Sequence, residues 1–188
     1  MDVSLYHALN GLVGHGIWID RTIRWIATYF SIVIAFVLGI AWCWPGTSEA
    51  RGERQRLIIY AVAATLIGLG IAQIIGHFWF RDRPYVHHSA HLLLGLSADP
   101  SFPSDHAIGG FGLAAPFIFA RHRLGPFLLT MALLLALSRV TAGTHYPSDV
   151  AAGALIGMAA AWLVWTYRRL IEPLMVPCLG LARKLRLA

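Results

Sequence analysis

Five apolar stretches, Ile26–Trp44, Leu57–Phe80, Ala107–Ala120, Leu124–Ser138 and Val150–Tyr167, take up about half of this chain. Crossing a hydrocarbon core of about 30 Å at about 1.5 Å per residue takes roughly 20 apolar helical residues, and in hydrocarbon the backbone polar groups must pair within the span. The expected fold is therefore all-α, a polytopic membrane helical bundle of about five transmembrane helices. Composition points the same way: 57% of residues are hydrophobic, 13% are charged, and the mean hydropathy is +0.64. In 188 residues no segment is left over for a soluble unit, so one integral membrane domain, residues 1–188, is expected.

The ends of the chain carry weaker signals. Leu5, Leu9, Leu12 and Val13 recur at helical spacing before Gly14 and Gly16, which predicts a short amphipathic helix lying in the outer interface. MDVSLYHALN has no basic region and no long apolar run, so no signal peptide is expected and the first span should target itself. Pro173 and Pro177 break the last helix, and LARKLRLA reads as a basic amphipathic anchor for an anionic cytoplasmic leaflet. Cys43 and Cys178 both fall toward the cytoplasm in this topology, where a structural disulfide is not expected. Gly153 and Gly157 make a small-xxx-small pair suited to close helix packing. Trp42, Trp44, Trp79, Trp165 and Tyr167 fall near span ends as interfacial anchors.

Basic residues set the orientation. Counting five spans back from a cytoplasmic C-terminus puts Arg51, Arg54, Arg56, Arg121, Arg123, Arg168, Arg169, Arg183, Lys184 and Arg186 inside, against Arg21, Arg24, Arg81, Arg83 and Arg139 outside. The bias fits the positive-inside rule with the N-terminus outside. Arg81, Arg83 and Arg139 run against that rule in two outer loops, and an anionic ligand is the reason their chemistry suggests.

Those arginines belong to three short pieces that converge on the outer face: FRDRPY (Phe80 to Tyr85), SFPSDH (Ser101 to His106) and SRVTAGTHYPSD (Ser138 to Asp149). Ionisable side chains at the ends of membrane-buried segments are costly and are functional candidates by default. Together the pieces resemble the type 2 phosphatidate phosphatase superfamily, the lipid phosphate phosphatases. Its third motif is Ser-Arg, five residues, His, three residues, Asp, matched by Ser138, Arg139, His145 and Asp149. Its second, Pro-Ser-Gly-His, stands here as Pro103, Ser104, Asp105 and His106. Its first, a Lys followed by Arg-Pro, survives in Arg83 and Pro84, so the matching core runs from about Gly76 to Asp149.

Two departures carry information. Gly76 stands where the family has its Lys, so His77 or Arg81 is expected to supply the missing phosphate-binding charge. Asp105 in place of Gly sets a carboxylate beside the phosphate pocket, unless it points away or is held by Arg83 or Arg81, and this variant resembles the bacitracin-resistance branch of undecaprenyl-diphosphate phosphatases.

Hydrolysing a phosphoric anhydride or ester needs an in-line nucleophile, neutralised phosphoryl oxygens and a proton for the leaving oxygen. A neutral imidazole can attack phosphorus, and His145 suits that role through a phosphohistidine. With Pro147 at the first helical position, Asp149 lies in the first turn of the fifth span, where it is expected to accept the imidazole's other N–H. His106 is the expected general acid and then base. Arg83 and Arg139 are the expected oxygen clamps, joined by the Ser104 hydroxyl and the free N–H groups opening the third span. No metal or other cofactor is called for, and His87, His88 and His91 read as solvated or headgroup-binding residues rather than a zinc site. The third span has only 14 residues between His106 and Arg121, about 21 Å of helix, which would sink His106 below the outer surface.

The resemblance implies an undecaprenyl-diphosphate phosphatase of a bacterial inner membrane, its site facing the periplasm, its partners a membrane lipid and the bilayer, with no nucleic acid. A broader phosphatidate or phosphatidylglycerophosphate phosphatase, or a lipid phosphotransferase, would share the site. A small transporter or channel subunit would instead need polar residues along several spans, and Ile32–Ala41 and Met131–Ala136 hold almost none. Oligomeric state is left open.

Overall fold

The structure is a computed structural model that describes residues 1–173; Pro177, Cys178 and the basic tail lie outside the described residues. Up to residue 166 the helices follow in order as α1 (Asp2–Asn10), α2 (Ile17–Cys43), α3 (Ser48–Phe78), α4 (Pro84–His87), α5 (Asp105–Phe119), α6 (Gly125–Thr141) and α7 (Pro147–Thr166). The five expected spans are α2, α3, α5, α6 and α7. Of these, α2, α3 and α7 are long and apolar enough to cross a membrane, and α5 and α6 are shorter.

Two spans begin well before their apolar runs. The α2 helix starts at Ile17 rather than Ile26, so Arg21 and Arg24 ride on its first turns instead of a loop. The α3 helix starts at Ser48 rather than Leu57 because the polar stretch SEARGERQR is rich in the helix formers Glu, Ala, Arg and Gln despite Gly52, and Thr47 Oγ1 caps it by accepting from Ala50 N at 3.3 Å. The buried Arg54 then closes the end of α2, donating from Nε and Nη2 to the carbonyls of Ala41 and Trp44. Those carbonyls belong to the last turn, where no intrahelical partner exists.

Helix α5 is the axis of the bundle and packs against α7, α6 and α3. The core runs along it through Phe111 and Phe117, with Ile34 and Leu38 of α2, Leu57 and Ile58 of α3, and Leu128 and Leu135 of α6. Outward faces stay apolar, with Phe36, Leu66, Leu155 and Trp162 exposed to what would be lipid. The α5/α7 seam is very close: a Cβ on Gly153 would sit 2.6 Å from the Ser104 carbonyl oxygen, and one on Gly157 2.5 Å from that of Ile108. The small-xxx-small reading of these glycines therefore holds.

Helix α1 docks on α6 and α7, and of the four spaced apolar residues Leu9 and, just past the helix, Val13 turn inward. Tyr6, Asn10 and Val13 are buried, whereas Leu5 and Leu12 are exposed, free to face the interface. Asn10 does much of the stitching: its Nδ2 donates to the carbonyls of His91 and Thr141, both at 2.9 Å, while its Oδ1 accepts from His91 N at 2.9 Å.

Candidate active site

At the end of the bundle where α3 stops and α5 and α7 start, a cavity of ≈ 570 Å³ opens, lined among others by His77, Arg83, Asp105, His106, Arg139 and His145. Three separated pieces of sequence thus meet in one place. The loop from α6 to α7 is only a few residues long, and it turns at Gly143 with φ 84°. That left-handed conformation favours glycine, and a Cβ there would also press on the His91 carbonyl oxygen at 3.0 Å.

His145 follows in that loop and is 3% exposed. Its Nδ1 lies 2.8 Å from the Ser101 carbonyl oxygen. A carbonyl only accepts, so Nδ1 carries the proton and the neutral ring presents its lone pair at Nε2. Burial pushes the His145 imidazole below its ordinary value; Asp149 pulls the other way, while the Arg139 and Arg83 charges add to the lowering. The ring is therefore neutral at pH 7. Here the expectation for Asp149 needs correction: its Oδ2 stands 3.8 Å from Nδ1, an ion-pair separation too long for a hydrogen bond. The carboxylate is occupied instead by Tyr146 N at 2.8 Å, the Ser101 hydroxyl at 2.5 Å and Arg81 Nη1 at 2.5 Å. Reaching back to Tyr146, the residue that caps α7, it is half of a capping box, and it grips the very residue whose carbonyl orients His145.

Arg83 and Arg139 are 9% and 8% exposed. Arg83 is held by backbone carbonyls, Nε to Asp99 at 3.1 Å and Nη1 to Thr144 at 3.4 Å. Arg139 donates from Nη1 to Ala27 O at 3.0 Å, and its Nε is buried without a partner among the described residues. Ser104 Oγ is likewise unpartnered, but Ser104 has 0% exposure and does not line the cavity, so its hydroxyl does not stand where the sequence placed it, on the phosphate pocket. Neither arginine forms an ion pair with a carboxylate among the described residues, and an orphaned guanidinium N–H of a cavity-lining arginine, as at Arg139 Nε, fits an anionic ligand. Ser104 N is already committed to the Asp149 carbonyl at 3.1 Å, tying the start of α5 to the first turn of α7.

His106 and Asp105 both open onto the cavity from the first turn of α5. Asp105 has no hydrogen bond and no ion pair among the described residues, so neither Arg83 nor Arg81 holds it. Arg81 is the second correction. It does not line the cavity; its guanidinium is shared between Asp149 and Asp2 (Nη2 to Oδ2, 2.8 Å) and lies 4.2 Å from the centre of the Tyr146 ring. Burial works against its charge, but Asp2 and Asp149 outweigh that and raise its already high value. Between the two substitutes for the family's Lys, only His77 faces the cavity, next to Gly76 and Gln73. Of the outer-loop histidines, His87 pairs with Asp82 at 2.9 Å and His88 packs edge-on against His7 and Tyr146.

Sequence reasoning missed Asp2, Ser101 and Thr144. Ser101 acts through its carbonyl, a group every residue has. Asp2 is an acid in a segment that offered no motif.

Comparison with known proteins bears on this geometry. The family described as the PAP2 superfamily matches residues 57–172. Undecaprenyl-diphosphatase BcrC of Bacillus subtilis (strain 168) is 29% identical over 173 residues, covering 92% of this chain and 87% of that protein. The candidate undecaprenyl-diphosphatase YbjG of Escherichia coli (strain K12) is 31% identical over 170 residues, 88% of this chain and 83% of its own length. Among solved structures, Aquifex aeolicus LpxE superposes with a TM-score of 0.73 at 23% identity, covering 88% of this chain and 95% of LpxE, which establishes a common fold. The chain belongs to the PAP2 superfamily and is one of its multi-pass membrane lipid phosphatases.

Proposed function

We propose that this protein is an undecaprenyl-diphosphate phosphatase that releases the terminal phosphate of the lipid diphosphate at the outer leaflet and returns the monophosphate carrier. The observation that carries the reading is one cavity lined by three histidines and two buried arginines, none of the five hydrogen-bonded to a carboxylate among the described residues. The names of the relatives matched over most of the chain support the diphosphate as substrate.

His145 Nε2 attacks the terminal phosphorus in line, forming an N–P bond as the bridging P–O bond breaks. Arg83 and Arg139 neutralise the oxygens, with the unpartnered Arg139 Nε as a further donor. His106 donates its proton to the departing lipid monophosphate. The same ring then takes a proton from water, which attacks the phosphohistidine and frees inorganic phosphate and neutral His145. In the phosphorylated state the imidazole keeps its Nδ1–H on the Ser101 carbonyl, and the Asp149 charge 3.8 Å away offsets the positive ring. The α5 helix, 15 residues or about 22 Å, sinks His106 toward the leaflet, so a headgroup reaches the site while its tail stays among the helices. Arg51, Arg54, Arg56, Arg121 and Arg123 at the opposite end support a periplasmic site by the positive-inside rule.

Purified protein in detergent, with EDTA present, should release phosphate from undecaprenyl diphosphate in preference to phosphatidate. A preference for phosphatidate would replace this reading with that of a broader lipid phosphate phosphatase. Release from neither by folded protein would favour phosphoryl transfer to another lipid.

A further inference from the structure

No residue of α1 lines the cavity, yet α1 is linked to His145 through a continuous set of polar contacts. Asp2 Oδ1 accepts from Ser148 N at 3.0 Å, and Oδ2 accepts from Ser148 Oγ at 2.5 Å and Arg81 Nη2 at 2.8 Å. The other arm of Arg81, Nη1, meets Ser148 Oγ at 2.7 Å and Asp149 Oδ1 at 2.5 Å. Asp149 Oδ2 takes the Ser101 hydroxyl and the Tyr146 N–H, and the Ser101 carbonyl takes Nδ1–H of His145.

Resting on the histidine-nucleophile reading, we infer that Asp2 and Arg81 are positioning residues, and that α1 is a strap holding Asp149 and, through Ser101 and Tyr146, the nucleophile's ring and loop. Asp149 is fully buried. A buried carboxylate is costly unless it is paired and hydrogen-bonded. Arg81 is the arginine that pairs with it, but the Arg81 side chain is itself 29% exposed, so its aim depends on the second carboxylate at Asp2. The fork of a guanidinium serves both acids at once; a lysine ammonium is a single point and does not. Asp149 freed of Arg81 would release the Ser101 hydroxyl and the Tyr146 N–H together, shifting the ring that must attack in line.

The test is kcat and KM for undecaprenyl diphosphate in Asp2→Asn, Arg81→Lys, Arg81→Gln and the Asp2→Asn/Arg81→Gln double variant. His145→Ala and Leu9→Ala run beside them, with melting temperature measured for all. Leu9, on α1, packs against the apolar cluster of Tyr6, Val140 and Tyr146 and contributes no polar group to the chain of contacts. Asp2→Asn should lower kcat about tenfold and Arg81→Gln about a hundredfold, the scale expected of a misaligned attack. KM should stay within about twofold, since α1 lines no part of the cavity; Arg81→Lys should fall between, and the double variant should be no worse than Arg81→Gln. Leu9→Ala should lower the melting temperature and leave kcat in place. Wild-type kcat in both Asp2→Asn and Arg81→Lys would overturn the strap, as would losses that follow melting temperature equally in Leu9→Ala or that add in the double variant. If those variants are normal while His145→Ala is inactive, the strap alone fails; turnover in His145→Ala removes the nucleophile and the strap with it.

Discussion

Substituting Gly153 by alanine probes how tightly this site depends on the α5/α7 seam. The added Cβ would lie 2.6 Å from the Ser104 carbonyl oxygen and 3.0 Å from Ala107 Cβ. It needs about 0.7 Å more to reach the ~3.3 Å at which a carbon rests against a carbonyl oxygen. The obstacle is backbone, so the helices must part. Ser104 caps α5, His106 stands in its first turn, and Ser104 N is bonded to the Asp149 carbonyl; the displacement therefore falls on His106 relative to the loop that holds His145. Overpacking of this kind costs about 1–3 kcal/mol of stability, and a shift approaching 1 Å in a reacting group costs up to about 10²-fold in rate. Gly153→Ala should thus lose roughly 10- to 100-fold in kcat, measured as phosphate release per mole of folded protein, with a lower melting temperature. Gly70→Ala is the control, since nothing lies within 4 Å of a Cβ there; it should be neutral or slightly stabilising. Full activity in Gly153→Ala would refute the argument that the seam sets the separation of the two histidines.

Further expectations follow from the same geometry. Asp149→Asn removes the charge that Arg81 and the Ser101 hydroxyl depend on, and kcat should fall about 10²-fold with near-normal binding of a non-hydrolysable diphosphate lipid measured by titration. Ring-labelled NMR of His145, assigned by difference with a His145→Ala sample, should show the ring neutral down to a pH below its ordinary 6.5, because burial and the Arg139 and Arg83 charges outweigh Asp149. Asp149→Asn, which takes away the opposing anion, should move that titration lower still; movement upward would contradict the assignment. Gly76→Lys sets an ammonium on the cavity wall at a position where a Cβ meets only Pro100 Cγ, at 3.4 Å. It should raise kcat/KM for phosphatidate about tenfold, read in the same phosphate-release assay.

Much of this molecule is legible before its coordinates. Hydropathy marks all five spans because lipid demands continuous apolar runs, and the Ser138, Arg139, His145, Asp149 spacing leads straight to the cavity. What hydropathy misses is where helices begin in polar sequence. Asp20, Arg21 and Arg24 mask the first turns of α2, and SEARGERQR masks those of α3, though both segments continue their helices without a break. Pairing across the chain is the other blind spot. Arg81 reads as a phosphate ligand because its local neighbours are Arg83 and Pro84, while its carboxylate partners lie at Asp2 and Asp149. Asp149 reads as the partner of His145 because it is four residues away; the acceptor is instead a backbone carbonyl of Ser101, reached through the loop before α5. No residue type announces such a group.

The central claim is that phosphate passes through His145. Undecaprenyl diphosphate carrying radiolabel in its terminal phosphate, mixed with excess enzyme in EDTA and quenched within milliseconds in alkali, tests it directly. A phosphohistidine at His145 predicts protein-bound label that survives alkali, is lost in acid, maps to the peptide containing His145, and is missing from His145→Ala. Turnover at full rate with no such label on the wild-type protein, or the same label on His145→Ala, would contradict it.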